Sequence, residues 1–389
     1  MNEADQLVII PVSGLRQLSQ FIRLPRRLYA GLPGYVPPLD MEQKDLLHPR
    51  KSAFFSHGRA QYFLAMRGGR PVGRISAQID DLAIERLGEN IGFFGALDAI
   101  DDAAVVSALL DAACTWLRAQ GMVTARGPFT LNSNGETGMM IEGHDAPPMI
   151  AMPWHPSWLP PLVEAAGFAK AMDFLAYQME IGPQAEEKHL VPSSLRLGEG
   201  RLGSVTTRVM RKDRMAEDGE ILRGLYNDAW RNNWGSLPLT PEEMTAMVAQ
   251  MKPILKPEHF VLIEQNGDPV AVALVVPNLF DIAGDLGGGP SPLGWVKLAA
   301  RLLRHKFHSA RVILLGVSSK LEGTALGAIL PALAITELMR RGKSLPYRMV
   351  EMGWVVENNM PMRRLIERLA PEPCKRYRVY DRALTAPAD

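Results

Sequence analysis

Residues 312–330, VILLGVSSKLEGTALGAIL, constrain the fold of this chain more than any other stretch. An apolar, β-branched run ends at residue 317, and a short polar loop then opens into an apolar helix carrying Gly323 and Gly327. A strand that feeds a helix in this way aims backbone N–H groups and the positive end of the helix dipole outward. The segment therefore predicts a phosphate or pyrophosphate site, at which the glycines let a ligand and a neighbouring strand approach closely.

The loop matches neither of the two common phosphate motifs, since the chain has no G-x-x-x-x-G-K-[ST] and no G-x-G-x-x-G after a strand. It reads KLEGTA at 320–325, which resembles the pyrophosphate loop of the GNAT acyl-CoA N-acyltransferase superfamily, Arg/Gln-x-x-Gly-x-Gly/Ala, with Lys as first residue. A tightly packed strand-to-helix turn is the alternative. The resemblance implies acyl-CoA as co-substrate, bound by Val317, Ser318, Ser319, Lys320, Gly323, Thr324 and Ala325.

The elements after the loop follow the GNAT order as well. Residues 349–356 predict a strand, 357–370 a helix with apolar residues at helical spacing, and 374–380 a last strand. Asn359 stands near the start of that helix, where the resemblance implies a contact with the cofactor. A plain helix cap is the alternative for this asparagine.

The two halves of the chain repeat one order of elements: hairpin, strand, helix, strand, short helix, strand. We therefore predict a mixed α/β (α+β) fold of two tandem GNAT-like units, each a twisted mixed sheet flanked by helices. The expected boundaries are an N-terminal unit at 1–181, a linker rich in Pro, Gly and charge at 182–203, and a C-terminal unit at 204–389.

The two predicted units differ at the position of the loop. The first half carries Asp98, Asp101 and Asp102 there, and three carboxylates would repel a pyrophosphate. We therefore expect the cofactor in the C-terminal unit, with the N-terminal unit supplying an acceptor pocket or a lid.

Charge and cysteine content limit the partners and the compartment. The formal net charge is +1, and Cys114 and Cys374 are far apart without metal or redox spacing. We therefore expect no nucleic-acid partner, no metal site and no disulfide framework. Residues 1–14 lack the pattern of a signal peptide, and no run of about twenty apolar residues occurs, so we expect a cytoplasmic protein.

Acyl transfer to an amine needs a base for the amine proton and donors for the charge that develops on the thioester. Glu351 and Glu357 alternate onto one face of the strand beside the loop, which makes them candidates for the base. The alternative for either is a buried ion pair with a nearby arginine. We expect Trp354, on the other face, to line the substrate site.

A second candidate region is the polar stretch 132–148, which follows the predicted strand 122–127. Ligand loops gather at the ends of strands in α/β sheets, so we expect this stretch to reach the active site. The alternative is an Asn/Gly-rich loop held by its own side-chain hydrogen bonds. The candidates are Asn132 and Asn134 for binding the amine, and Glu136, His144 and Asp145 for catalysis.

Two further stretches suit a hydrophobic substrate. Trp234 lies among aromatic and amide side chains at 226–238, where it could line an acyl tunnel or pack against the sheet. Residues 293–308 predict a basic amphipathic helix, with Leu298 and Leu303 on one side and Arg301 on the other. Such a helix can contact the inner face of an anionic membrane; the alternative is an ordinary surface helix.

Over most of its length the chain resembles a family of bacterial tandem-GNAT proteins. The matching stretches include 71–74 (PVGR), 132–143, 353–359 (GWVVENN) and 376–380 (RYRVY). Bacterial ceramide synthases, which N-acylate a sphingoid base with a long-chain acyl-CoA, look like members or close relatives. The resemblance implies an acyl-CoA-dependent N-acyltransferase for a hydrophobic or lipid amine. The alternatives are a tRNA-dependent aminoacyl or peptidyl transferase and a non-catalytic acyl-CoA-binding protein.

Overall fold

The computed structural model describes residues 6–181 and 205–384. Its helices, in chain order, are α1 (Gly14–Leu28), α2 (Asp40–Leu47), α3 (Asp81–Leu87), α4 (Ala103–Ala119), α5 (Leu159–Ala165), α6 (Met215–Ala229), α7 (Pro241–Met251), α8 (Phe280–Ala283), α9 (Pro292–Leu303), α10 (Ala325–Gly342) and α11 (Met360–Ile366). Its strands are β1 (Leu7–Pro11), β2 (Gly58–Arg67), β3 (Arg70–Asp80), β4 (Ile91–Ala99), β5 (Thr124–Gly127), β6 (Met139–Glu142), β7 (Ala169–Glu180), β8 (Val205–Arg208), β9 (Phe260–Gln265), β10 (Asp268–Pro277), β11 (Ser309–Val317), β12 (Met349–Val356) and β13 (Lys375–Ala383).

These elements form two compact units. Within the described residues, the first unit comprises 6–174, 283–292 and 375–384, and the second comprises 175–181, 205–282 and 293–374. The chain passes from the first unit to the second within β7. In neither of the two described ranges is any helix both long enough and apolar enough to cross a membrane.

The first unit is built on a sheet with the strand order β1-β2-β3-β4-β5-β13, in which β4 and β5 run parallel. The hairpin between β2 and β3 turns at Gly68 and Gly69, which both have positive φ. Helix α4 packs its apolar face on this sheet and supplies much of the core. The Asp102 side chain caps the helix by accepting from the amides of Ala104 and Val105.

The second unit contains the strand order β12-β11-β10-β9-β8, in which β11 and β12 run parallel. The hairpin between β9 and β10 turns at Asn266 and Gly267, again both with positive φ. Helix α10 follows β11 and buries Leu330, Leu333 and other apolar residues of its inner face. Each unit is thus a mixed sheet flanked by helices, which confirms the predicted mixed α/β fold class.

The two units do not coincide with the halves predicted from the sequence. A division at 181 and 204 puts the last strand in the C-terminal unit, but β13 pairs with β5 and β6 and so belongs to the first unit. Contacts between residues far apart in the chain join β13 to the first unit. Among them is a bidentate ion pair between Arg126 of β5 and Asp381 of β13, with N···O distances of 2.7 Å. The predicted linker at 182–203 lies outside the described residues.

Candidate active site

The parallel strands β11 and β12 separate along their length. Their ladder runs from the pair Ser309–Met349 to the pair Val312–Met352, and β11 then continues to residue 317 and β12 to residue 356. In the described second unit no further pair joins the two strands. Residues 313–317 and 353–356 therefore flank a gap, which we call the wedge. The ladder between the two strands does not use the backbone groups that face the wedge, although the Gly353 carbonyl accepts from Arg311 and the Val356 carbonyl from the Asn359 amide.

The loop 318–324 connects β11 to α10 at the end of the wedge. It begins with a short 3-10 turn at Ser319–Leu321, passes through Gly323 with φ of +75°, and ends at Thr324, which caps α10. The Thr324 hydroxyl accepts from the amide of Gly327 at 3.0 Å and donates to the carbonyl of Leu321 at 2.7 Å. A side chain at Gly327 has no room, because a Cβ there would lie 2.1 Å from the Leu321 oxygen.

Three amides of this strand-to-helix junction make no hydrogen bond within the described residues. Those of Gly323, Ala325 and Leu326 bond to no acceptor in the described part of the chain. They lie at the N-terminus of an 18-residue helix, whose dipole adds partial positive charge, and the exposed Lys320 lies in the same loop. The junction therefore has the donors and the electrostatics of a site for phosphate or diphosphate.

Asp228 of α6 holds the start of the loop, a role that the sequence analysis missed. Its carboxylate accepts from the Ser319 amide at 2.7 Å, from the Ser318 hydroxyl at 2.9 Å and from the Ser319 hydroxyl. Burial raises the pKa of Asp228, but these hydrogen bonds outweigh it and hold the pKa below its usual value. The two predicted serines thus have their hydroxyls engaged inside the protein, which leaves the rest of the loop to a ligand.

The aromatic residues near the end of α6 divide into two groups. Trp230 stacks on Tyr226 with ring centroids 5.0 Å apart, and it covers β11 so closely that a Cβ on Gly316 would lie 2.3 Å from its ring. Trp234, the residue predicted for the substrate site, follows in the turn and is half-buried. Trp230 is therefore the aromatic that touches the strand, so packing against the sheet accounts for part of this segment.

Glu351 lies below the wedge, in the part of β12 that is still paired. It is fully buried, and the register sets it beside Arg311 of β11, which is 2% exposed. The Arg311 guanidinium donates to the Gly353 carbonyl at 3.1 Å and lies over the Trp354 ring, 4.4 Å from its centroid. Glu351 therefore sits next to an arginine that orients the base of the wedge, and this arginine was not among the predicted partners.

The segment after β12 places the other predicted residues near the end of the strand. Glu357 is half-buried, and its carbonyl accepts from Arg363 at 3.0 Å. Asn359 caps α11, since its side-chain oxygen accepts from the Met362 amide at 3.2 Å. The cap that was the alternative for Asn359 is thus present, and a contact with a cofactor stays a prediction.

The corresponding junction of the first unit is closed. The amide of Phe129 donates to the Phe94 carbonyl at 2.8 Å, and a Cβ on Gly95 would lie 1.7 Å from the Phe129 oxygen. Asp98 is buried and paired with Arg74 at 2.7 Å. Together with the Asp102 cap of α4, these groups fill the space and occupy the amides that an anion would need.

The start of the polar stretch 132–148 is held by hydrogen bonds within the stretch and to neighbouring residues of the first unit. Asn132 is 5% exposed and donates to Asp80 at 2.9 Å, while its side-chain oxygen accepts from the Asn134 amide at 3.0 Å. Glu136 accepts from Thr130 at 3.1 Å. The bond between Asn132 and Asn134 is of the kind expected for a self-bonded loop, whereas Asp80 and Thr130 tie Asn132 and Glu136 to other parts of the first unit.

The backbone of His144 packs against Trp154 and Gly34. The His144 carbonyl accepts from the Trp154 indole at 3.3 Å. A Cβ on Gly34 would clash with the same carbonyl oxygen. Burial lowers the pKa of His144 even though the Asp145 carboxylate raises it, which favours the neutral ring. Asp145 itself is exposed.

Glu42 of α2 is a candidate that sequence reasoning missed. Burial of the carboxyl and, to a smaller extent, the negative charge of Glu136 together raise the pKa of Glu42 to about 7. The residue as a whole is nevertheless exposed. A carboxyl that titrates near neutral pH beside a second carboxylate is suited to bind an ammonium group and to accept a proton. The only signal in the sequence was the acidic start of a short helix.

No group of three or more metal-ligating side chains converges anywhere in residues 6–181 or 205–384. The arrangement that the described residues do offer is an anion-binding junction beside an open pair of parallel strands in the second unit. A separate pair of carboxylates lies in the first unit.

No protein-family model matches the chain. The protein named bacterial ceramide synthase of Caulobacter vibrioides (strain NA1000 / CB15N) is 38% identical over 381 residues, which cover 97% of this chain and 98% of that one. Protein YghO of Escherichia coli (strain K12) is 36% identical over 367 residues, or 94% of this chain and 93% of that one. Among solved structures, a tandem GNAT protein from the clavulanic acid biosynthesis pathway aligns with a TM-score of 0.56 over 99% of this chain and 100% of its own, at 15% identity.

The solved structure shows the fold, and the two relatives show the family because the identity extends over nearly the whole of each chain. The predicted enzyme class, an N-acyltransferase, is confirmed by this relationship. The chain belongs to the family that includes the protein named bacterial ceramide synthase of Caulobacter, and its fold is that of tandem GNAT proteins.

Proposed function

We propose that this protein transfers an acyl group from acyl-CoA to the amine of a lipid acceptor of the sphingoid-base type. The observation that carries the proposal is the combination of the wedge and the loop 318–324 in the second unit. An anion site at one end of an open strand pair suits a ligand that has a diphosphate followed by an extended chain of amides, which is the chemistry of coenzyme A.

The donor half of the proposal assigns roles to named groups. The amides of Gly323, Ala325 and Leu326 bind the diphosphate, with Lys320 adding positive charge. The edges of 313–317 and 353–356 that flank the wedge provide donors and acceptors for the pantetheine amides. Asp228 and Arg311 are positioning residues. Asp228 holds the loop through its hydrogen bonds, and Arg311 holds the base of the wedge through the Gly353 carbonyl.

The acceptor half rests on the 38% identity to a protein named bacterial ceramide synthase, because a ceramide is the amide of a fatty acid and a sphingoid base. Such an amine is largely protonated near neutral pH and must lose a proton before it attacks. Glu351 and Glu357 stay the predicted candidates for taking that proton, because both belong to the second unit, which also contains the wedge.

The reaction is a direct transfer. The amine nitrogen attacks the thioester carbonyl, the C–N bond forms, the C–S bond breaks, and the thiol of CoA leaves with the proton that the amine gave up. Donors along the wedge can stabilise the developing oxyanion. Holding the thioester in a fixed position would contribute much of the rate.

The test exploits Ala325, the exposed first residue of α10. Ala325→Asp puts a carboxylate at the proposed diphosphate site, whereas Ala325→Asn is a neutral control of the same size. An acidic residue in the first turn of a helix does not weaken the helix, so both variants should fold. We expect Ala325→Asp to raise the KM for acyl-CoA on the order of tenfold, with little change for Ala325→Asn.

The assay follows thiol release and the acylated product by mass spectrometry, with sphinganine as acceptor and acyl-CoAs of increasing chain length. Binding of the same acyl-CoAs is measured by calorimetry. Equal KM values for the two variants would remove the diphosphate assignment. Binding of acyl-CoA without turnover of any amine would instead favour a non-catalytic acyl-CoA-binding protein.

A further inference from the structure

Helix α9 packs on the second unit through a narrow face. Leu298 is the one buried residue among those of the helix in the described chain. Arg301 lies half-buried on the same side, where its guanidinium donates to the carbonyl of Ile282 at 2.8 Å. The packed face is therefore anchored by one leucine and one arginine, which corrects the expectation that Arg301 lies on the polar outer side.

The opposite face of α9 is apolar and exposed. Leu293 is 78% exposed, Val296 is 65% exposed and Leu303 is 87% exposed. At about 100° per residue these three side chains fall within an arc of about 80°, directly opposite Leu298. Among the described residues, four of the ten large hydrophobic side chains that are prominently exposed lie on this one helix, so the exposure is concentrated rather than scattered.

The charged side chains of the segment that contains α9 are all of one sign. Residues 292–308 contain Lys297, Arg301, Arg304 and Lys306 and no Asp or Glu. Lys297, Arg304 and Lys306 are exposed. An apolar stripe bordered by cations is the pattern of a helix that lies in the interface of an anionic bilayer. It is a poor surface for a stable protein dimer, because three aliphatic side chains fall far short of the roughly 800 Å² per partner that such interfaces bury.

We propose that α9 docks the enzyme on an anionic lipid surface, with Leu293, Val296 and Leu303 inserted among the acyl chains and the flanking basic residues against lipid phosphates. The observations that carry this are the outward apolar arc and the charge complementarity. The proposal does not depend on the identity of the acyl donor or acceptor.

The experiment is sedimentation of the full-length protein with two kinds of vesicle, one of phosphatidylcholine alone and one of phosphatidylcholine mixed with phosphatidylglycerol. We expect binding to the mixed vesicles that weakens as salt is added. The triple variant Leu293→Ser, Val296→Ser, Leu303→Ser should reduce the partition coefficient more than tenfold. A matched control replaces three exposed apolar residues elsewhere, Val8→Ser, Leu15→Ser and Val123→Ser, and should bind as the wild type does.

Two further measurements make each outcome decisive. The thermal midpoint of both triple variants is compared with that of the wild type, and analytical ultracentrifugation reports their oligomeric state. Equal vesicle binding by the two triple variants, or no binding by the wild type, would overturn the proposal. A dimer of the wild type that the α9 variant alone abolishes would also overturn it, because the face would then bind a second copy.

Discussion

Gly327 shows how one missing side chain determines the shape of the proposed diphosphate loop. A Cβ at this position would meet the backbone oxygen of Leu321, which cannot rotate away as a flexible side chain would. Gly323 is required for a different reason, since its space is open but its φ is +75°.

Gly327→Ala should therefore lower the stability of the protein by about 1–3 kcal/mol, although alanine is the better helix former. Gly342→Ala is the matched control at the other end of α10, where nothing lies within 4 Å of a Cβ, and it should be neutral or slightly stabilising. Thermal midpoints and acyl-CoA affinities of the two variants check this. A Gly327→Ala protein as stable as the control would show that the loop can move aside.

Glu42 gives a prediction for pH dependence. Its folded pKa of about 7 lies above its ordinary value, so the protonated carboxyl is favoured by folding, and this contribution fades as the pH rises through 7. Glu42→Gln should therefore stabilise the protein at pH 8 relative to the wild type and have little effect at pH 5. Thermal midpoints at the two pH values measure the difference. If Glu42→Gln instead destabilised the protein at pH 8, folding would favour the ionised form of the Glu42 carboxyl.

At the scale of elements, the contact between α6 and the loop 318–324 supports the proposed cofactor site. Asp228→Ala removes three hydrogen bonds and should cost about 2 kcal/mol of stability while raising the KM for acyl-CoA. Asp213→Ala, at an exposed carboxylate just before the same helix, serves as the control. If Asp228→Ala leaves the KM for acyl-CoA unchanged, then the loop keeps its shape without the hydrogen bonds from Asp228 to Ser318 and Ser319.

The elements also show which parts of the site were predictable. The strand, loop and helix at 309–342 follow from local signals, namely β-branched residues, the Thr324 cap and a glycine with positive φ. Asp228 and Glu42 were missed because their roles depend on contacts with segments far along the chain. Helical periodicity identified α9 but not its inward face, which depends on Leu298 finding a packing site and Arg301 finding a carbonyl.

At the scale of the whole molecule, buried histidines should make the protein sensitive to acid. Burial lowers the pKa of His155 to about 4 in the first unit and that of His259 to about 3 in the second. Both rings accept a hydrogen bond from a backbone amide through Nδ1, and protonation would remove that acceptor. The unfolded chain takes up protons below about pH 6.5, so stability should fall as the pH drops from 6.5 towards 4.

His155 alone should account for about 2 kcal/mol of lost stability between pH 7 and pH 5. His155→Gln should therefore narrow the gap between the unfolding midpoints at these two pH values. His308→Gln, which replaces an exposed histidine, should leave the gap as it is in the wild type. If the two variants show the same difference between their unfolding midpoints at pH 7 and pH 5, then groups other than His155 cause the acid sensitivity.

The pairing of β13 with β5 and β6 has a consequence for how the protein is made. Arg126 and Asp381, which bond across β5 and β13, are 255 positions apart in the chain. A ribosome synthesises most of the first unit long before it reaches residues 375–383, so the nascent chain must keep an open sheet edge until these residues have been made. A stop codon shortly before this strand would thus damage the part of the protein that was made first.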